Sequence, residues 1–192
     1  MKKLLLISLI ALCINNLQAQ MQQGKFFIGG STNLNATFLK YKSDDNGQTS
    51  TSNMSKIDFG LSGGYFIANN IALGLFNSLT YSKTDYSKAT MISIGPVGRI
   101  YFGNSHVRPI LSGSFGYTFE KQNETYSGVG SYDSKFSGAN FSLSGGAAFI
   151  FSESVSLDIM AGYSGTYLKQ SNSNYKINTN NLAISLGFSI FL

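Results

Sequence analysis

The chain is short of most of the residues on which soluble enzymes rely. Its 192 residues include one cysteine, one histidine, two prolines and no tryptophan, and charged side chains make up only 12%. A single thiol excludes a disulfide framework within the chain, and a single histidine leaves little for imidazole-based metal or acid–base chemistry. A charged fraction of about half the usual ~25% is too small to coat a water-facing surface. Beyond residue 20 no apolar run approaches the ~18 residues that mark a membrane-spanning helix. The formal charge of +5 falls to +3 once Lys2 and Lys3 are removed. The remaining lysines are scattered, without the basic clusters interleaved with aromatics that read nucleic acid, so no nucleic-acid partner is expected.

What is abundant is Gly (21), Phe (15) and Tyr (11), together with Ser and Asn. At the N-terminus, Lys2 and Lys3 precede the apolar run from Leu4 to Ile14, and Leu17-Gln18-Ala19 follows as a small-residue cleavage context. This reads as a secretory signal peptide over 1–19, with one domain over 20–192. The run is too short to cross a bilayer as a helix, which needs roughly 20 apolar residues. Cys13 lies inside it, preceded by bulky Leu12 where a bacterial lipobox has Gly or Ala, so lipidation is not expected.

Eight segments then alternate with period two, near 25–40, 55–68, 71–83, 89–102, 107–119, 138–151, 155–168 and 178–192. Their apolar faces include Phe26/Ile28/Leu34/Ala36/Phe38, Ile57/Phe59/Leu61/Tyr65/Ile67 and Leu182 to Leu192 in steps of two. Within the limits of each face, no position of that parity is charged. The opposite parity is rich in Gly, Ser, Thr and Asn and carries Lys56, Asp58, Arg99, Arg108 and Asp158. A soluble lipocalin-like barrel would alternate in the same way, with its apolar face inward. Its water-facing parity, however, would be a quarter to a third charged. Apolar parity outward against lipid and polar parity inward fits the sequence better.

The connections support this orientation. Those near Asn69-Asn70, Gly103 to His106 and Ser152 to Ser154 are short, whereas 41–54, 84–88, 120–137 and 169–177 are mostly longer and polar. Outer-membrane barrels show this asymmetry, with short periplasmic turns and longer outer loops. Tyr65, Phe102, Phe149 and Phe151 at one end, and Phe38, Tyr81, Phe119 and Tyr167 at the other, form two expected aromatic girdles. Pro96 and Pro109 fall inside predicted strands and call for a bulge or a locally missing ladder bond. Leu61-Ser62-Gly63-Gly64-Tyr65-Phe66 echoes Leu143-Ser144-Gly145-Gly146-Ala147-Ala148; a duplicated hairpin, or a shared demand for small lumen residues before a turn, explains it.

The polar parity holds the one cluster of interest. Arg99, Arg108 and Asp158 lie within about one layer of the lower lumen if strands rise ~2.5 Å per tilted residue. Asp158 is expected to neutralise one or both arginines, because unpaired charge in a narrow lumen is costly. Lys56 and Asp58 are expected to pair higher up. Asp44-Asp45, Asp85, Glu120, Glu124 and Asp133 follow no metal-ligand spacing, and Gly29-Gly30, Gly63-Gly64 and Gly145-Gly146 are not phosphate loops. No metal or cofactor is expected.

The sequence resembles the small eight-stranded outer-membrane barrels of the OmpA/OmpX type, particularly the outer membrane protein beta-barrel domain group. The resemblance rests on the N-terminal segment, on Ser93-Ile94-Gly95-Pro96-Val97-Gly98-Arg99-Ile100-Tyr101-Phe102 as a fourth strand, and on the ending Gly187-Phe188-Ser189-Ile190-Phe191-Leu192. It implies an all-β, eight-stranded antiparallel up-and-down transmembrane β-barrel in the outer membrane, with loops extracellular and termini periplasmic. It implies that Leu182–Leu192 is read by the barrel-assembly machinery, although the family's final residue is usually aromatic and here is Leu192. Enzymes among such barrels need a nucleophile and base near the outer leaflet, whereas His106 sits in a short turn at the other end, so no catalytic activity is expected. The expected role is structural or cell-surface interaction through 41–54 and 120–137. The alternatives are a narrow pore or apolar-ligand carrier, and a soluble periplasmic lipocalin-like binder.

Overall fold

The computed structural model describes residues 21–33, 41–45, 48–52, 55–84, 87–126, 130–171 and 176–192. Its strands are β1 (Phe26–Asn33), β2 (Tyr41–Asp45), β3 (Gln48–Ser52), β4 (Ser55–Ala68), β5 (Ile71–Lys83), β6 (Ser87–Tyr101), β7 (Val107–Tyr126), β8 (Gly130–Ser152), β9 (Val155–Gln170) and β10 (Lys176–Phe191). Eight of them close a ring in the order β1-β10-β9-β8-β7-β6-β5-β4, and β2 and β3 pair as a separate two-stranded sheet. Every neighbouring pair in the ring is antiparallel. The seam lies between the first and last strands, from Phe27↔Phe191 to Asn33↔Ser185. At its lower end Leu192 N donates to Phe26 O (2.9 Å) and Phe26 N to Leu192 O (3.1 Å). No helix among the described residues is long and apolar enough to cross a membrane.

Alternation decides the two faces. The outward parity carries Ile57, Leu75, Phe115, Leu143 and Leu182, all strongly exposed on the isolated chain. The inward parity carries Phe66, Ala72, Thr118, Ala148 and Asp158, which are essentially inaccessible. Outward aromatics meet in pairs: Phe26 with Tyr65 near the turn end (5.1 Å between centroids) and, farther along the wall, Tyr117 with Phe119 (5.0 Å) and Phe141 with Tyr163 and Tyr167 (6.0 and 6.2 Å). Phe38 of the expected girdle lies outside the described residues, as do 34–40 of the expected first strand.

The expected loop at 120–137 is corrected. There β7 runs on to Tyr126, β8 begins at Gly130, and their ladder is continuous from Val107↔Phe149 to Tyr126↔Gly130. The segments expected at 41–54 and 169–177 likewise contain strand: β2 and β3 in the first, the ends of β9 and β10 in the second. The cause is physical. Past the bilayer both faces of a hairpin meet water, so the period-two apolar signal disappears while the backbone pairing that makes it a strand persists.

Both prolines sit where the ladder can spare a donor. The β6–β7 ladder breaks between Ile94↔Tyr117 and Val97↔Ser114, leaving Gly95 and Pro96 out of it. Pro109 stays in register with Ala147 of β8 and accepts a hydrogen bond from Phe102 N (2.9 Å), one step below the last β6–β7 pair, Tyr101↔Ile110. Close backbone approach explains the glycine pair Gly64 and Gly74, which face each other inside the wall. A Cβ on Gly74 would lie 2.1 Å from Gly63 O and 2.6 Å from Gly64 Cα, contacts that only backbone movement relieves. Gly74→Val is therefore expected to destabilise the barrel by about 1–3 kcal/mol. Urea unfolding of the refolded protein in micelles, followed by far-UV circular dichroism, measures the change.

Candidate functional site

The interior has two tiers with opposite chemistry. At the turn end, inward residues of β1, β4, β6 and β10 are large rings: Phe27, Phe66, Tyr101 and Phe191, each no more than 2% exposed. Phe66 lies 6.0–6.1 Å, centroid to centroid, from each of the other three, and Tyr101 and Phe191 are 6.1 Å apart. Ile110, Ala148, Ile150 and Met160 complete a packed plug. Met21, ahead of the first strand, is folded into the plug at 2% exposure. Its carbonyl accepts from Asn70 N (2.8 Å), Gln23 N donates to Asn69 Oδ1 (3.0 Å), and Gly24 N donates to Phe66 O (3.0 Å). Asn70, at φ 64°, is the hub of this strap, because its carbonyl also accepts from Tyr101 N (2.9 Å).

Above the plug Arg99 crosses the lumen. It stands on β6, and its guanidinium reaches β10, directly opposite in the ring. There Nη1 donates to Ser189 Oγ (2.9 Å) and lies 3.7 Å from Asp158 Oδ2, while Nη2 donates to Ser62 Oγ of β4 (2.7 Å). Asp158, 1% exposed, accepts from Ser189 Oγ (2.7 Å) on one oxygen and from Ser156 Oγ (2.8 Å) on the other. The guanidinium carbon also sits 4.8 Å from the centre of the Phe27 ring. One side chain thus ties β6 to β1, β4, β9 and β10. A buried pair of this kind needs its remaining polar atoms bonded to offset desolvation; serines bond both Asp158 oxygens and both Nη atoms of Arg99, while Nε is left without an acceptor.

Of the two arginines Asp158 pairs with Arg99 alone, and Arg108 lies outside this network. Its Nε donates to Ser105 O (3.2 Å), and Nη1 faces Asn70 Oδ1 (3.2 Å) and Met21 Sδ (3.3 Å). The strap supplies Arg108 with acceptors that strand periodicity could not place. Asp58, 7% exposed on β4, accepts from Thr80 Oγ1 of β5, and its carbonyl accepts from Thr32 Oγ1 (2.9 Å). The side chain of Lys56, its expected partner, lies outside the described residues.

Over Arg99 the lumen widens into a cavity of about 280 Å³. Its inward-facing lining is mainly hydroxyl and amide, from residues such as Ser31, Ser78, Ser114, Asn140, Thr166 and Ser185, with Asp58 and Arg99 its charged members. No group of three His, Cys, Asp or Glu able to hold a metal occurs among the described residues. His106 is exposed at the β6–β7 connection, far from this cavity along the strands. Asp133 is engaged with Lys121 (3.1 Å) and Asn123 on the extended hairpin.

A closed eight-stranded ring with an apolar outside and a filled inside agrees with what the sequence matches. The family model described as outer membrane protein beta-barrel domain covers residues 4–189. The chain belongs to this family. It is an outer-membrane β-barrel, seated in the lipid bilayer. Among solved structures, Neisserial surface protein A aligns with TM-score 0.51 at 17% identity over 86% of this chain and 95% of that one. The outer membrane protein OprG of Pseudomonas aeruginosa aligns with TM-score 0.51 at 13% identity over 92% and 99%. The N-terminal β-barrel domain of P. aeruginosa OprF aligns with TM-score 0.50 at 15% identity over 88% and 98%. At these identities the likeness is one of fold. No curated protein matches the sequence.

The plug went unseen in the sequence because large apolar residues of lumen parity were a minority on an otherwise polar face. The available signal was their clustering at the turn ends, as with Phe66, Tyr101 and Phe191. The brace generates a test. Arg99→Leu leaves Asp158 buried without its cation and is expected to cost about 3–5 kcal/mol. The double variant Arg99→Leu/Asp158→Leu removes both charges and is expected to regain most of that loss. Urea unfolding in micelles, read by circular dichroism because the chain has no tryptophan, gives both values.

Proposed function

We propose that this protein is a non-conducting outer-membrane barrel with a structural and surface-interaction role. The observation that carries the reading is the aromatic plug of Phe27, Phe66, Tyr101 and Phe191, sealed from below by Met21. Ring-to-ring spacings near 6 Å leave no water-filled path through that tier. In this reading the short turns face the periplasm, and the β7–β8 hairpin and the 41–54 segment face outward as the contact surface for an extracellular ligand. In this reading residues 1–19 are removed as a signal peptide, and the closing strand, Leu182–Leu192, is the segment offered to the barrel-assembly machinery. The reading assigns no catalytic role: the single histidine, His106, stands exposed at the turn end, and among the described residues it pairs with no carboxylate.

Planar-bilayer recording tests the closed floor. The native barrel is expected to give no stable conductance steps, and Phe66→Ala/Phe191→Ala to introduce them; stable steps from the native protein would refute the reading. Orientation is tested by an epitope inserted between Ser127 and Gly128. Antibody labelling of intact cells is expected, and labelling only after permeabilisation would reverse the assignment.

A further inference from the structure

Hydrogen bonding in the upper lumen is lopsided. On the wall of β6, β7 and β8 the polar side chains satisfy one another: Ser93 with Thr118 (2.8 Å), Ser114 with Ser142 (2.7 Å), and Asn140 Nδ2 donating to Thr118 Oγ1 (2.6 Å). The rest of the ring differs. Ser31 on β1, Ser78 on β5, Ser164 and Thr166 on β9, and Asn181 and Ser185 on β10 line the same cavity, half-buried. Among the described residues, none of these six side chains has a hydrogen-bond partner. At the floor, Arg99 Nε is buried and also lacks an acceptor. Donors and acceptors partly withdrawn from water, held on paired strands and left unmatched, form a surface ready to bond a solute.

The chemistry of that solute follows from what the cavity offers. Its volume of about 280 Å³ sits at the lower edge of the ~300–1,000 Å³ of small-molecule sites, which suits a molecule of monosaccharide size. Arg99 already has Asp158 within 3.7 Å and Asp58 accepts from Thr80, so neither charge is held in reserve for an ion. The open positions are hydroxyls and one amide, which donate and accept equally well and match a partner that does the same. Phe76 adds one ring to the lining, against which the C–H face of a cyclic polyol can pack. We propose that the upper lumen is a capture site for a small neutral polyhydroxyl solute of the sugar or polyol class, bonded to the β9–β10–β1 wall. This goes beyond the surface-interaction role. It needs no transport through the plug, because solute enters and leaves at the same end.

Saturation-transfer difference NMR on the refolded barrel in detergent micelles, with D-glucose as the neutral probe and glucose 6-phosphate as the charged comparison, tests the site. Glucose ring protons are expected to receive saturation and the phosphate ester to bind more weakly. Ser185→Phe fills the cavity and is expected to abolish the glucose signal while the protein keeps its shift between unboiled and boiled gel lanes. Ser164→Ala/Thr166→Val deletes two hydroxyls without filling space and is expected to weaken binding about tenfold; it carries the test if the phenylalanine variant does not fold. No transfer to glucose in the native protein, an undiminished signal in the folded variants, or preference for glucose 6-phosphate would each overturn the proposal. Conductance of the plug variants is measured separately, so failure of either reading leaves the other standing.

Discussion

Inside a bilayer no water is available to bond a bare N–H or C=O, and every feature of this barrel follows from that constraint. A sheet with two edges would leave two rows of backbone groups unsatisfied in hydrocarbon. Pairing Phe27 with Phe191 and continuing to Asn33 with Ser185 removes both edges at once. The same constraint fixes where proline is tolerated. Pro96 occupies a break in the β6–β7 ladder, and Pro109 lies one step below the end of that ladder, where the turn begins. The ring closes with eight strands, and the strand number sets the width of the interior.

An eight-stranded interior is only wide enough for side chains, so its filling decides what the barrel can do. The lower tier is filled with rings and behaves as a small hydrophobic core, each buried Phe contributing on the order of 1.5–3 kcal/mol. The upper tier is lined with small polar groups and keeps a cavity. Arg99 separates the two, with the Phe27 ring on one side and hydroxyls on the other. Its charge is tolerated at that depth because Asp158 and two serines are fixed on the opposite wall by strand register. Arg108, nearer the turn end, bonds instead to the strap.

Membership of the outer membrane protein beta-barrel domain family establishes location, and the likeness to OprF, OprG and Neisserial surface protein A is one of architecture. They leave activity open, because one barrel scaffold carries many roles. The parts that distinguish this chain lie where bilayer constraints relax: the lumen, which lipid never touches, and the β7–β8 hairpin beyond the outward aromatics Tyr117 and Phe119.

Strand number, facing and lipid exposure were legible in the sequence because the bilayer imposes a strict period of two on any strand that crosses it, and Ile57, Leu75 and Phe115 obey it. The hairpin at 120–137 was not legible, since past the membrane both faces are polar and the period carries no information. The fate of the lumen charges was half legible. Parity alone placed Arg99, Arg108 and Asp158 inside, where none can be left in contact with lipid. Which arginine meets Asp158 depended on cross-lumen reach and on Met21 and Asn70 engaging Arg108. Those contacts join residues as far apart as Arg99 and Ser189, or Met21 and Arg108, and only closure of the ring brings them within bonding distance. The sequence by itself determined the wall; the tertiary structure decided what fills it.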